Sequence, residues 1–307
     1  MSDPRPPRSP LALAALACAA VVGLEPVTAR SLAHHDPDVD AALIEDTIDR
    51  RWVVRSPRTV AAGARLEAES KLVEVLFGWV SFAVPRVAGT AALPEGGKAL
   101  VYRAVAGGPL QAAALGTVPS LPSAIGRALA VVHDLPTRLI ADAGLPVFEA
   151  EEYRERRLAE LDRAAATGHV PPALLGRWES ALEEAGAWRF TPVVVHGDLD
   201  GDTLRIEGTQ LAGIIDWGQA RVADPADDFA WLANAAEPSA FDAVMATYTL
   251  RRRTTPDAAL TRRARLAGEL ALVRWLLHGV STDDTHVVDD AVGMLTALEV
   301  SVAGTGW

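Results

Sequence analysis

His196, Asp198 and Asp216 are the residues whose types and spacing point to chemistry, and all three lie within residues 193–217. The β-branched run Val193, Val194, Val195 reads as a buried strand that delivers the chain into a polar loop, His196-Gly197-Asp198-Leu199-Asp200-Gly201-Asp202-Thr203. Two short apolar runs follow, 204–206 and 211–215, separated by Glu207-Gly208-Thr209-Gln210. That spacing predicts a hairpin with Gly208 in the turn. A hairpin returns the chain to its starting edge and sets Asp216 beside the loop that carries Asp198. Two carboxylates brought together in this way make a site for a divalent cation and an acceptor hydroxyl.

His196-Gly197-Asp198, four residues and then Thr203 keep the frame of the protein-kinase catalytic loop, H-R-D, four residues and Asn. Ile215-Asp216-Trp217 falls where kinases carry the metal aspartate of D-F-G, and Asp224-Pro225-Ala226-Asp227-Asp228-Phe229 comes shortly after. In these segments the chain resembles the aminoglycoside phosphotransferase superfamily of small-molecule kinases, and within it the macrolide 2′-phosphotransferase-like branch. The resemblance extends over nearly the whole chain and is most specific at 196–229.

The resemblance implies an α+β, two-lobed protein-kinase-like fold, with a small β-rich N-lobe and a larger, mostly helical C-lobe. It implies an enzyme that transfers the γ-phosphate of ATP or GTP to a hydroxyl of a macrolide or aminoglycoside, with Mg2+. In those terms Asp198 orients the acceptor hydroxyl and takes its proton late in transfer. His196 braces the loop, Asp216 holds magnesium, Asp228 anchors the loop, and Asp224 caps the next helix. Three departures stand out. Thr203 occupies the place of a metal-binding amide or histidine, with Asp202 as a compensating donor. Arg55 replaces the phosphate-pairing lysine, and the two cations are not interchangeable. Residues 33–41, the expected phosphate cover, contain no glycine.

The elements that must position these groups are legible in outline. Residues 1–9 are proline- and arginine-rich and read as a disordered tail; 10–103 form the N-lobe and 104–307 the C-lobe. Strands are expected at 39–44, 51–55, 82–85 and 99–102. Alternation in 51–55 puts Trp52 and Val54 on one face, Val53 and Arg55 on the other. In the helix expected over 61–77, Glu69, Leu72, Val73 and Leu76 fall at i, i+3, i+4 and i+7, so Glu69 lies on the apolar stripe. An acid pointing at a core requires a partner, and Arg55 is the obvious one. Tyr102 to Val105, leading into Gly107-Gly108-Pro109, suit the interlobe hinge beside the nucleotide base. Helices follow at 121–134, 150–166, 171–186, 238–252, 256–279 and 284–301. His133 reads as a capping or packing histidine, while Trp231 and Trp275 are candidates to line an acceptor site.

With 29 Lys and Arg against 40 Asp and Glu, the net charge is −11. That argues against nucleic acid or an anionic membrane surface as the main partner and suits an amine-bearing small-molecule acceptor. A lone Cys18 excludes an internal disulfide. A monomer is expected. Arg5 and Arg8 ahead of the apolar run 10–24, with Ala17-Cys18, imitate a lipoprotein signal. The run is short for a membrane span, and the competing reading is a leading helix on the N-lobe. A kinase needs cytoplasmic nucleotide, which favours the helix and a cytoplasmic location. The alternatives that stay open are a silent kinase-like nucleotide-binding protein and an exported ligand-binding protein.

Overall fold

The computed structural model describes residues 6–32, 38–94 and 96–304. Residues 1–5 of the expected tail and 33–37 of the glycine-free loop lie outside the described residues. The first third of the chain runs α1 (Pro10–Ala20), β1 (Pro26–Leu32), β2 (Val39–Asp46), β3 (Arg51–Pro57), α2 (Val60–Leu76), β4 (Arg86–Ala92), β5 (Lys98–Arg103) and β6 (Gly108–Pro109). Then come α3 (Ala114–Thr117), α4 (Ser120–His133), α5 (Arg138–Ala143), α6 (Ala150–Ala165), α7 (Pro172–Glu183) and β7 (Val193–Val195). The remainder is β8 (Leu204–Glu207), β9 (Gln210–Ile214), β10 (Arg221–Ala223), α8 (Ala230–Ala235), α9 (Pro238–Arg251), α10 (Leu260–Thr282) and α11 (Thr285–Val302).

These elements fall into two compact units. Unit 1 comprises Met1–Leu110, Ala141–Leu145 and Asp202–Gln219; unit 2 comprises Gln111–Ile140, Pro146–Gly201 and Ala220–Trp307. Unit 1 holds a five-stranded antiparallel sheet in the order β1-β2-β3-β5-β4, and a smaller sheet in the order β6-β8-β9. Unit 2 is largely helical, with β7 and β10 paired antiparallel.

In unit 1 the apolar run at 10–24 forms α1, started by Ser9, whose hydroxyl accepts the Ala12 N–H, and by Pro10 at the first helical position. Leu13, Ala14 and Ala17 pack on Ala42, Ile44, Trp52, Val54 and Val101, one face of the large sheet. The other face carries Val39, Leu100 and Tyr102 against Ala62 and Leu66 of α2. Alternation along β3 therefore gives Trp52 and Val54 to α1 and leaves Arg55 on the side of α2. Among the described residues no helix is long and apolar enough to cross a membrane.

Residues 82–85 do not form the expected strand. Pro85 has no N–H to give a ladder, and the segment makes a single bridge, Ala83 to Gly213, with Ala83 donating to the Ala212 carbonyl and accepting from Ile214. The strand lies next along, at β4. Gly213 is required there, because a Cβ would stand 2.5 Å from Val105 Cγ1 and 2.6 Å from the Ala83 carbonyl oxygen. β1, whose outer positions are largely exposed, is an edge strand with no alternating apolar signal.

Burial of Leu13 between α1 and the sheet carries a measurable expectation. Leu13→Ala should lower unfolding free energy in urea by about 2–4 kcal/mol, whereas Leu11→Ala, at a side chain 76% exposed, should change it by less than about 0.5 kcal/mol.

Candidate active site

In unit 1, β3 brings Arg55 out on the α2 side of the sheet, and α2 carries Glu69 on its buried stripe with Leu66, Leu72, Val73 and Leu76. The two pair closely: Arg55 Nη1 lies 2.9 and 3.0 Å from the Glu69 carboxylate oxygens. The other arm of the same guanidinium, Nη2, ion-pairs with Asp216. Trp217 N–H donates to Glu69 Oε1 at 3.1 Å, and Trp217 Nε1–H to the Ile214 carbonyl at 3.0 Å. One fork thus ties a sheet strand, a helix and the turn after β9. Arg55 and Glu69 are buried, while the Asp216 side chain keeps 24% of its surface. Asp216 holds φ +63°, a left-handed conformation that a non-glycine residue adopts at a cost.

Tyr102 lies beside this group, with the Arg55 guanidinium 5.6 Å from its ring centroid. Its buried hydroxyl has no hydrogen-bond partner. Burial and then the Glu69 charge push the phenol pKa up, against the pull of Arg55. Val105 packs against Gly213, with no charged group in that contact. The main chain of 102–105 is held to β3 within unit 1, Ala104 N–H donating to the Arg51 carbonyl at 2.9 Å.

Thr203 is buried, and its carbonyl accepts the Ile215 N–H at 3.0 Å, so it is joined to the Asp216 segment through the backbone. Asp202 is exposed, and its charge acts on Arg205. Among the described residues no group of three or more His, Cys, Asp or Glu gathers as a metal cage. The partly exposed Asp216 carboxylate is an oxygen donor of the kind magnesium takes, and magnesium is ordinarily held by one or two carboxylates together with phosphates and water. The donor type fits that ion.

In unit 2, β7 leads into His196-Gly197-Asp198. Asp228, fully buried, accepts the N–H groups of His196 and Gly197, both at 2.8 Å. Its Oδ2 also meets His133 Nε2 at 3.1 Å, and His133 Nδ1 meets the Tyr248 hydroxyl at 2.8 Å. Burial would raise the Asp228 carboxyl, but the His133 hydrogen bond and charge, the His196 charge and the Gly197 N–H together hold it below the ordinary carboxylate range. The turn needs Gly197, whose φ is +84°. His196 is buried, and its Nδ1 accepts the Asp198 N–H at 3.4 Å. Asp198 itself is exposed. Asp224 accepts the Ala226 N–H as an N-cap and pairs with Arg263.

The structure thus gathers Arg55, Glu69, Tyr102 and Asp216 in unit 1, and His196, Asp198, Asp228 and His133 in unit 2. It also contains a network that the sequence reading missed. Asp227 pairs with Arg157 at 3.0 Å and Arg221 at 2.5 Å, and accepts from Tyr153. Burial opposes the charge on Asp227, yet Arg157, Arg221 and the Tyr153 hydroxyl hold its pKa down at about 2. Burial, then Asp227, pushes Tyr153 up to about 12. A signal was available for Arg157, which sits on the buried stripe Tyr153, Arg157, Leu161, Ala164 of α6. Trp275 is partly exposed, its Nε1–H donating to Asp290 and its ring stacked on His278.

With this geometry in place, the comparison with known proteins decides the family. The phosphotransferase enzyme family matches over residues 33–267. The chain belongs to that family. It is 30% identical over 201 residues to viomycin phosphotransferase of Streptomyces vinaceus, covering 58% of this chain and 65% of that protein. It is 28% identical over 102 residues to the uncharacterized protein YcbJ of Bacillus subtilis (strain 168), 33% of each. The match spans less than two thirds of the length of either curated relative.

Among solved structures, macrolide 2'-phosphotransferase MphH from Brachybacterium faecium superposes with TM-score 0.73 at 23% identity, over 89% of this chain and 93% of that one. The GDP and kanamycin complex of APH(2")-IIia superposes with TM-score 0.79 at 22% identity, over 94% and 98%. The chain has the kinase-like fold that the motifs implied, with a small antiparallel-sheet N-lobe and a largely helical remainder.

A pH dependence follows from the Asp227 network. A carboxyl held at about 2 in the folded chain, against about 3.9 unfolded, contributes stability above the unfolded value that is lost as pH falls toward the folded one. The melting temperature of the chain should therefore fall as pH drops below about 4. Asp227→Asn should melt lower at neutral pH, by roughly 3 kcal/mol or more in stability, and show a shallower acid-side decline in the same titration.

Proposed function

We propose that the chain is a small-molecule kinase that transfers the γ-phosphoryl group of ATP or GTP to a hydroxyl of an antibiotic-like acceptor, macrolide or aminoglycoside. The observation that carries this reading is the Arg55 fork between Glu69 and Asp216. It sets a permanent cation and a partly exposed carboxylate side by side on a rigid sheet, helix and turn. Phosphoryl transfer asks a protein mainly to position its reactants and to stabilise the charge on the moving group. The names of the similar proteins, which run from macrolide to kanamycin to viomycin, support an antibiotic-like acceptor. The acidic balance of −11 supports an acceptor that carries amines.

In this mechanism Asp198 accepts a hydrogen bond from the acceptor hydroxyl and aims its oxygen at the γ-phosphorus. As the new P–O bond forms and the bond to the bridging oxygen breaks, the hydroxyl proton passes to the Asp198 carboxylate and the nucleoside diphosphate leaves. His196 keeps the loop in shape through its ring nitrogen. Arg55, held by Glu69, supplies fixed positive charge for phosphate oxygens. Tyr102 to Val105 flank the base. Asp216, with Thr203 or Asp202 as second donor, would hold magnesium, which supplies charge neutralisation on the phosphates.

A second reading draws on Thr203. Its hydroxyl is short and enclosed where the resembled family carries an amide or histidine, and a weak second metal position favours a catalytically silent nucleotide-binding protein. One experiment separates the two. A ligand that binds only the folded chain raises its melting temperature. ATP or GTP with magnesium should raise it by several degrees, and Asp216→Ala should abolish the magnesium-dependent part. Asp198→Ala should keep the shift and lose acceptor phosphorylation by on the order of a thousandfold. A shift in wild type without turnover on any macrolide or aminoglycoside would select the silent reading, and no shift with either nucleotide would refute both.

A further inference from the structure

Three peptide groups precede the Asp198 side chain, and their hydrogen bonds are not shared equally. Asp228 takes the N–H groups of His196 and Gly197, which fixes the peptides on either side of His196. The third peptide, between Gly197 and Asp198, decides where the carboxylate points. Its N–H goes to His196 Nδ1 at 3.4 Å, a long bond that constrains weakly. Its carbonyl, that of Gly197, accepts from Arg221 Nη2 at 3.1 Å. Gly197 has the least hindered backbone of any residue type, so this peptide turns freely unless something grips it.

Arg221 is placed for that grip by strand pairing, since β10 sets it opposite Val195, the last residue of β7 before the loop. Its guanidinium is itself oriented. The same Nη2 pairs with Asp227 Oδ2 at 2.5 Å, and Asp227 is held from α6 by the Tyr153 hydroxyl and by Arg157 at 3.0 Å. Arg157 is anchored in turn by Tyr153 at 2.6 Å and Glu160 at 3.0 Å. Adjacent acids thus serve one loop by opposite routes: Asp228 accepts its N–H groups, and Asp227 reaches its carbonyl through Arg221.

We infer that Arg221 is a positioning residue for phosphoryl transfer, setting the direction of Asp198 through the Gly197 carbonyl, with Asp227, Tyr153 and Arg157 holding it in place. The inference rests on the proposed role of Asp198 toward the acceptor. It assigns Arg221 no contact with either substrate. Its loss therefore falls on the rate of the chemical step, where a misplaced group is costly, and leaves nucleotide affinity alone.

The test compares wild type with Arg221→Gln and Arg221→Lys. The readouts are kcat, KM for nucleotide and acceptor, melting temperature, and hydrogen exchange of the Gly197 and Asp198 amides. In Arg221→Gln, kcat should fall by on the order of tenfold to a hundredfold with nucleotide KM unchanged; exchange at the Asp198 amide should rise, while the Gly197 amide, held by Asp228, serves as the control. Arg221→Lys, which keeps a donor of shorter reach, should recover part of both. Where Arg221→Gln does not fold, Arg221→Lys carries the test with the same signs. Unchanged kcat and exchange would overturn the inference. So would a loss of kcat no larger than that of Leu13→Ala at matched melting temperature, since that would be general destabilisation. If wild type phosphorylates no acceptor, the proposed function falls. The exchange measurement then still decides whether Arg221 holds the loop.

Discussion

A carboxylate with no exposed surface is expensive, and the loop of unit 2 depends on how Asp228 is compensated. Desolvation of such a charge costs several kcal/mol unless donors surround it. Asp228 finds them in two consecutive main-chain N–H groups and a histidine ring. The dependence is mutual. Those N–H groups, at a turn with no strand partner, would themselves be buried donors without an acceptor. Removing the acid would therefore leave several groups unpaired at once, and the backbone would have to rearrange to reach water. Behind it, His133 and Tyr248 carry the same chain of bonds into α4 and α9, where Phe229, His133 and Tyr248 pack edge to face.

Unit 1 solves a related problem with the signs reversed. Arg55 is a buried cation, and two carboxylates are spent on it. A guanidinium suits this place because its donors point in fixed, divergent directions. One arm serves Glu69 and the other Asp216. Glu69 in turn takes the Trp217 N–H, so the turn that carries Asp216 is held by α2 as well as by its own strand. The arrangement converts the register of β3 into the position of a residue some 160 places later in the chain.

The fold was legible wherever a local pattern reported a tertiary fact. Glu69 on an apolar stripe announced a buried partner, and β3 alternation placed Arg55 toward it. The hairpin 204–214 followed from two apolar runs and Gly208. Less was legible where structure comes from what is paired rather than from what is apolar. β1 has mostly exposed positions and no alternating signal, and residues 82–85 look like a strand but meet one neighbour only. The Asp227 network was hidden for a different reason. Arg157 gave the same kind of signal as Glu69, a charged residue on a buried stripe, while Asp227 sits beside Asp228 in a short turn where spacing says nothing about which acid faces which way.

The left-handed backbone of Asp216 has an evolutionary edge. Glycine adopts that conformation freely, whereas aspartate pays about 1 kcal/mol or more for it. A single-base change in an aspartate codon gives glycine. Relief of that strain would offset part of what the lost ion pair to Arg55 costs. On the role proposed for Asp216, a lineage released from the need to transfer phosphate has an easy exit at this position, folded and inert. On that same reading, glycine at the place of Asp216 in sequences sharing this architecture would mark the branches that have abandoned chemistry while keeping the scaffold.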